Sequence, residues 1–320
     1  MFRISKIGSN LELTSGLGAA IALGIALFGI ASASILIVVA EQEIGPNATT
    51  FNRLGMAAIA FGLWNGLKLV SNFRSEEQFE SQPSYALRDL GLLLIAGVGF
   101  AASLTLWAWS LTQTSVANST LLNNMMPIFT TLGAWLLLGQ RFQAKFLLGM
   151  AVALGGAIAI GVEDLQVADS NITGDIAALF AAMLSATSIL SVEQLRIKFS
   201  TPTIMLWTSL IGSLFIFPIV LLSEGQLFPT SWVGWSAVIS LALICQVIGQ
   251  GLLTYSLARF SSGLVAVSML TIPVIAAILA MIIFSEKLSL LNWLAFAVVL
   301  AGIYLSVSAQ GVEQESLPEN

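Results

Sequence analysis

The sequence predicts an all-α integral membrane protein, with ten transmembrane helices arranged as two inverted five-helix repeats, residues 1–165 and 166–320. Three observations carry that expectation. Hydrophobic residues make up 57% of the 320 positions and charged residues 9%, with a mean hydropathy of +0.92; a soluble domain has about 45–50% apolar and about 25% charged residues. The apolar residues are gathered in separate runs, each long enough to cross about 30 Å of hydrocarbon with about 20 residues of helix. The second half of the chain also repeats the pattern of the first, without a gap, over one long window.

Composition also excludes. Histidine is absent and Cys245 is the single cysteine, which removes disulfide frameworks, histidine metal sites and histidine acid–base pairs. A net charge of −5 with no basic run gives no footing for nucleic acid. No cofactor is expected.

The first apolar run covers about 16–40. Ala31-Ser32-Ala33 within it has the look of a signal-peptide cleavage site. The run is longer than the ~7–15 residues of a signal core and continues past Ala33, so a retained first helix is expected. The other first-half spans fall at about 52–71, 88–112, 115–138 and 144–162, and the second-half spans at about 173–195, 202–222, 232–257, 261–284 and 290–308. The longest connector, around residues 71–88, holds Arg74, Glu76, Glu77 and Glu80 and reads as a solvated loop.

With both termini cytoplasmic, 10 of the 12 Lys and Arg residues lie on the cytoplasmic side, and only Arg53 and Lys287 fall outside. That is the distribution the positive-inside rule requires. The opposite loops are acidic, with Glu41, Glu43, Glu163, Asp164 and Asp169. Trp109, Trp232, Trp235 and Trp293 near outer ends, with Trp135 and Trp207 near inner ends, suit the two interfaces. Trp64, well inside the second span beside Asn65, is the exception. The expected location is a bacterial inner (cytoplasmic) membrane.

An offset of 146 lays residues 115–160 over 261–306. Pro127 then meets Pro273, Ala134 meets Ala280, Leu154 meets Leu300 and Gly156 meets Gly302. Five spans per half is an odd number, so the second half enters the membrane from the opposite side. Inverted repeats of this kind place a site near the midplane between the halves.

These features resemble the EamA family of the drug/metabolite transporter superfamily. The resemblance rests on the five-plus-five layout, Gly45-Pro46 running to Asn52-Arg53 at the start of the second span, and the mid-helix Pro127 and Pro273. It rests also on the turns Trp109-Ser110-Leu111 and Tyr255-Ser256-Leu257, on Glu286-Lys287, and on the small pairs Gly155-Gly156 and Ala301-Gly302. It covers nearly the whole chain and implies a carrier, more often exporting than importing. Gln140-Arg141 departs from the acidic-then-basic step usual in that family.

Candidate cavity residues follow from polar stripes within apolar spans. Ser119, Asn123, Pro127 and Thr130 recur at spacings of four, four and three, one face of a helix, and Asn124 widens it. Pro127 lacks an amide hydrogen and clashes with the carbonyl of Asn123, so a kink is expected about halfway across. The positions equivalent to Asn123 and Asn124 in the second half are Met269 and Leu270, which favours a substrate role over helix-to-helix glue. Gln246, Gln250 and Thr254 form a second face in the eighth span, and must meet protein or water. Trp64 and Asn65, and Ser185 with Ser188, are further candidates for which packing is the stronger reading. Gly62 with Gly66, Gly149 with Ala153, and Ala178, Ala182 and Ala186 are expected to permit close helix contact.

No carboxylate or basic residue is expected at mid-depth. Glu193 lies near a cytoplasmic end beside Arg196, and Lys68 can snorkel. A buried phosphate would need Lys or Arg, so phosphorylated substrates are disfavoured. An enzyme is not expected, because no nucleophile–base pair or acid pair lies within the spans. The expected function is transport of a small neutral or zwitterionic, amino-acid-like metabolite, by an exporter; a channel or a non-transporting receptor is the alternative. The partners expected are a small-molecule substrate and the lipid bilayer, with monomer and homodimer both open.

Overall fold

The computed structural model describes residues 5–74, 85–114, 116–162, 172–284 and 288–315, and among them every regular element is helical. The first half holds α1 (Ser5–Ala31), α2 (Ala33–Ala40), α3 (Pro46–Arg74), α4 (Leu87–Ser110), α5 (Val116–Asn123), α6 (Met126–Leu138) and α7 (Ala144–Val162). The second holds α8 (Ile172–Arg196), α9 (Thr201–Ser223), α10 (Trp232–Ser240), a π-helical segment (Leu241–Gln250), α11 (Gly251–Ser256), α12 (Ser262–Met269), α13 (Thr271–Phe284) and α14 (Leu290–Glu315). Eight helical stretches are long and apolar enough to cross a membrane, and Ala144–Ile160 in α7 is apolar but shorter. The chain is a multi-pass membrane protein.

The helix expected to be the second span, α3, is not among those eight stretches and differs from the sequence expectation. It begins at Pro46, not near residue 52, and runs 29 residues. Proline suits the first helical position, where its missing amide hydrogen costs nothing. The next two amides, of Asn47 and Ala48, donate to the two carboxylate oxygens of Glu224, each at 2.8 Å. An anion there completes the positive end of the helix. Gly45 is small for the same reason: a Cβ would occupy the space of the Glu224 carboxylate. The polar run Asn47, Thr49, Thr50, Asn52, Arg53 hides this turn of helix from hydropathy.

The kink expected at Pro127 is a full break. The helix stops at Asn123 and restarts at Met126, with Pro127 in the first turn of α6. The second half breaks likewise at Leu270, ahead of Pro273.

Packing pairs α3 with α9, α7 with α14, α4 with α8, and α1 with the π segment and α11. Small residues set the closest of these. Gly149, Ala153 and Gly156 of α7 meet Gly302, Ser306 and Val299 of α14 backbone to backbone, and Ala178, Ala182 and Ala186 of α8 are buried. The expected Gly62–Gly66 contact is only partly made: a Cβ on Gly62 would meet the Leu206 side chain at 3.6 Å, and one on Gly66 would meet nothing within 4 Å. Ala19, Ala26 and Ala31 of α1 are buried in the bundle, with Gly29 set against Gly249 of the π segment.

Loops expected on one side of the membrane meet each other. At one end the Glu43 carboxylate accepts from the Ser231 hydroxyl and from the amides of Thr230 and Ser231, and Thr114 donates to Asp175 at 2.7 Å. At the other, Lys198 pairs with Asp89, Arg88 donates to Gln194 at 3.3 Å and Tyr85 stacks on Phe199. The acidic stretch Glu163 to Asp169, and Glu286-Lys287, lie outside the described residues.

Candidate functional site

Two polar features meet on the helix that runs from α10 through the π segment into α11. A ten-residue π-helical stretch is uncommon and costs hydrogen-bond quality, and such departures recur at functional sites. Its last turn carries Gln250, and Thr254 follows in α11. These two, with Ser185 and Ser188 of α8, line a partly open cavity of about 70 Å³ whose other walls are apolar side chains, among them Met126 of α6 and Met269 of α12. Both halves of the chain therefore contribute walls. At about 10–15 Å³ of such volume per molecule, the cavity holds about five waters. It is smaller than an amino acid in this conformation.

Most polar groups around it are already engaged. Ser188 donates to the carbonyl of Ala96 at 2.9 Å, Ser185 pairs with Ser103, and Thr254 points its hydroxyl at the sulfur of Met205 at 3.3 Å. The Gln250 amide makes no hydrogen bond with a described residue, so its donors and acceptors are available inside the cavity.

The remaining candidates are dispersed. Ser119 is fully buried and pairs with Ser110 one turn of chain away, and Pro127 is buried in the restart of α6. Asn123 and Asn124 are half-buried at the break between α5 and α6, and their side chains make no hydrogen bond with a described residue. Asn65 donates to the carbonyl of Pro202 at 3.1 Å, holding α3 to α9. Trp64 turns away from the bundle, 57% exposed on the outer surface of α3, so no cavity role fits it.

Gln246, one turn before Gln250, meets a residue that the sequence places on the outer side, at the start of the second span. Arg53 is 6% exposed and donates from Nε to Gln246 Oε1 at 3.0 Å. Seven residues beyond Pro46 at 1.5 Å each put it about 10 Å along α3 from its start. Expected on the outer side, Arg53 is instead buried among the helices, which weakens the argument against phosphorylated substrates. The signal was present in Gly45-Pro46, which marks a helix start two turns earlier than hydropathy does.

Glu193 is corrected as well. Its Oε1 accepts from Gln140 Nε2 at 3.0 Å and from the Ser262 amide at 3.1 Å, while Oε2 is sealed from solvent without a partner. Arg196 donates instead to the carbonyl of Phe199 at 2.7 Å. Among the described residues the one ion pair is Lys198 with Asp89.

A larger groove, about 560 Å³, lies between α6 and α7 and includes Ile128, Leu132, Trp135 and Leu147. Those four side chains are exposed. Volume alone would select it, but its lining is mostly apolar, with Thr131 and Arg141 as the polar members.

The model of the EamA-like transporter family matches residues 16–162 and again 172–308. The transporter YetK of Bacillus subtilis, described as uncharacterized, is 25% identical over 234 residues, 70% of each chain. A Streptantibioticus cattleyicolor protein named "Probable terminal-alkyne amino-acid exporter" is 23% identical over 276 residues, 86% of this chain and 88% of its own. A protein of known crystal structure shares the fold with a TM-score of 0.74 at 18% identity, over 92% of this chain and 99% of that one.

Proposed function

This chain belongs to the EamA-like transporter family, and we propose that it carries a small neutral or zwitterionic metabolite of amino-acid type outward across the bacterial inner membrane. The observation that carries the reading is the small cavity walled by both halves, with the free amide of Gln250 in its lining.

In this reading α3 and α7 cross the membrane with the eight apolar stretches, giving ten spans in two inverted repeats with cytoplasmic termini. Reciprocal packing supports it: α1 of the first half lies against the eighth span as α8 of the second lies against α4. Alternating access then rocks one repeat about the other, so the cavity opens to one face at a time. The relative named as an amino-acid exporter supports the substrate class and the direction. A cavity this small must widen to admit an amino acid, which a carrier does on opening.

The test is efflux of a panel of amino acids from preloaded proteoliposomes. At least one should leave faster than from protein-free vesicles, with a rate that saturates. Equal loss from both for every compound would overturn the reading.

A further inference from the structure

We propose that Arg53 is the anchor for the substrate carboxylate, with Gln246 holding its guanidinium in place; this rests on the reading of the chain as a carrier and names its substrate as a carboxylate-bearing zwitterion.

The argument begins with an imbalance. Arg53 sits about two turns inside α3 and is almost wholly buried, yet no described carboxylate pairs with it. A cation removed from water without a partner is costly, and ionisable groups kept within a membrane bundle mark sites of function. An arginine serving only the fold would spend its five donors on backbone carbonyls or an acid. This one makes a single bond, from Nε to the neutral amide oxygen of Gln246 at 3.0 Å. Neither terminal nitrogen bonds a described residue, and neither is counted among the sealed, unpartnered atoms, so both keep access to open space. A bond at Nε that fixes the plane of the guanidinium leaves the outer edge as a fork of parallel donors, the geometry that takes a carboxylate through two hydrogen bonds.

The location agrees. Gln246 lies one turn from Gln250 on the same π-helical segment, which ties Arg53 to the helix that lines the cavity, although Arg53 and Gln246 are not themselves in that lining. Asn52, next to Arg53, is committed elsewhere, bonding the carbonyls of Ala48 and Leu227. One cation with neutral amides and hydroxyls beyond it matches a monoanion; a phosphate dianion would call for a second basic group.

The experiment uses purified protein in detergent. Its unfolding midpoint is titrated with each protein amino acid and with the corresponding carboxamide, and separately with inorganic phosphate. At least one acid should stabilise the parent at a concentration tenfold or more below its carboxamide. Arg53→Gln should abolish that preference, so that the acid stabilises no better than its carboxamide. Gln246→Glu keeps the arginine and supplies a carboxylate from within, so it should raise the midpoint without ligand and abolish the preference too. The proposal is overturned if no acid outperforms its carboxamide, if either variant keeps the preference, or if phosphate stabilises the parent as strongly as the acid. Should the acid bind through Arg53 but fail to move in proteoliposomes, the transport reading falls and the site stands. Should an amino acid move while acid and carboxamide behave alike, the transport reading stands and the site falls.

Discussion

Gln140 donates its side-chain amide to the carboxylate of Glu193 at 3.0 Å, joining the end of α6 to the last turns of α8. The same Glu193 oxygen takes the Ser262 amide at the start of α12, so one carboxyl group holds three elements from both halves together. An acid at position 140 would set two carboxylates against each other at this distance. Gln140→Glu should therefore cost about 1–3 kcal/mol at pH 7. The double variant Gln140→Glu, Glu193→Gln should recover most of it in thermal unfolding. A double variant no better than the single one would show that the pair is not the cause.

Glu43 gives a pH dependence. Hydrogen bonds from the Ser231 hydroxyl and amide and the Thr230 amide hold its carboxyl at about 2, below its ordinary 4.5. A depressed value stabilises the fold above the unfolded pKa, and the contribution is lost as pH falls through the folded one. The difference in unfolding midpoint between the parent and Glu43→Gln should be full at neutral pH and shrink from about pH 4.5 toward pH 2. A difference that grew on acidification would contradict the sign.

Close packing of α7 on α14 is tested with its own control. A Cβ on Gly302 would lie 2.6 Å from the carbonyl of Gly149, a backbone atom that cannot turn aside. Gly302→Ala should destabilise by about 1–3 kcal/mol. Gly66→Ala, where a Cβ meets nothing within 4 Å, should be neutral or slightly stabilising in the same assay.

Topology is checked with single cysteines at exposed loop positions in a Cys245→Ser background. Thr112 and Gln226 should react with an impermeant thiol reagent in intact cells, and Ile197 and Ala258 only after lysis. The reverse pattern would invert the assigned orientation.

The helices were legible because burial in lipid imposes one rule on every apolar run, and the helix interruptions because they fall just ahead of Pro127 and Pro273. Gly149 and Gly302 could be read as contact residues; Gly62 and Gly66, with the same spacing, could not be told from them, because spacing shows what a helix permits and not what faces it. Arg53 was misplaced for a physical reason. Hydropathy measures side chains, whereas α3 starts where Pro46 and a carboxylate from Glu224 satisfy its backbone. Gln250 was read as one face with Gln246 and Thr254; Gln250 and Thr254 line the cavity while Gln246 holds Arg53, and the π-helical winding of that segment has no pattern of its own in the sequence. Trp64 shows the converse limit: an aromatic at mid-span faces cavity or lipid with equal ease.

The measurement that tests the central claim most directly is counterflow in proteoliposomes. Vesicles loaded with unlabelled amino acid should transiently accumulate the labelled form above equilibrium, which a carrier produces and an open pore does not. Gln250→Leu, with folded yield unchanged, should reduce that accumulation at least tenfold, about 1.4 kcal/mol, because it removes the free amide from the cavity wall. Counterflow that persists undiminished in Gln250→Leu, or none for any amino acid in the parent, would contradict transport through this cavity.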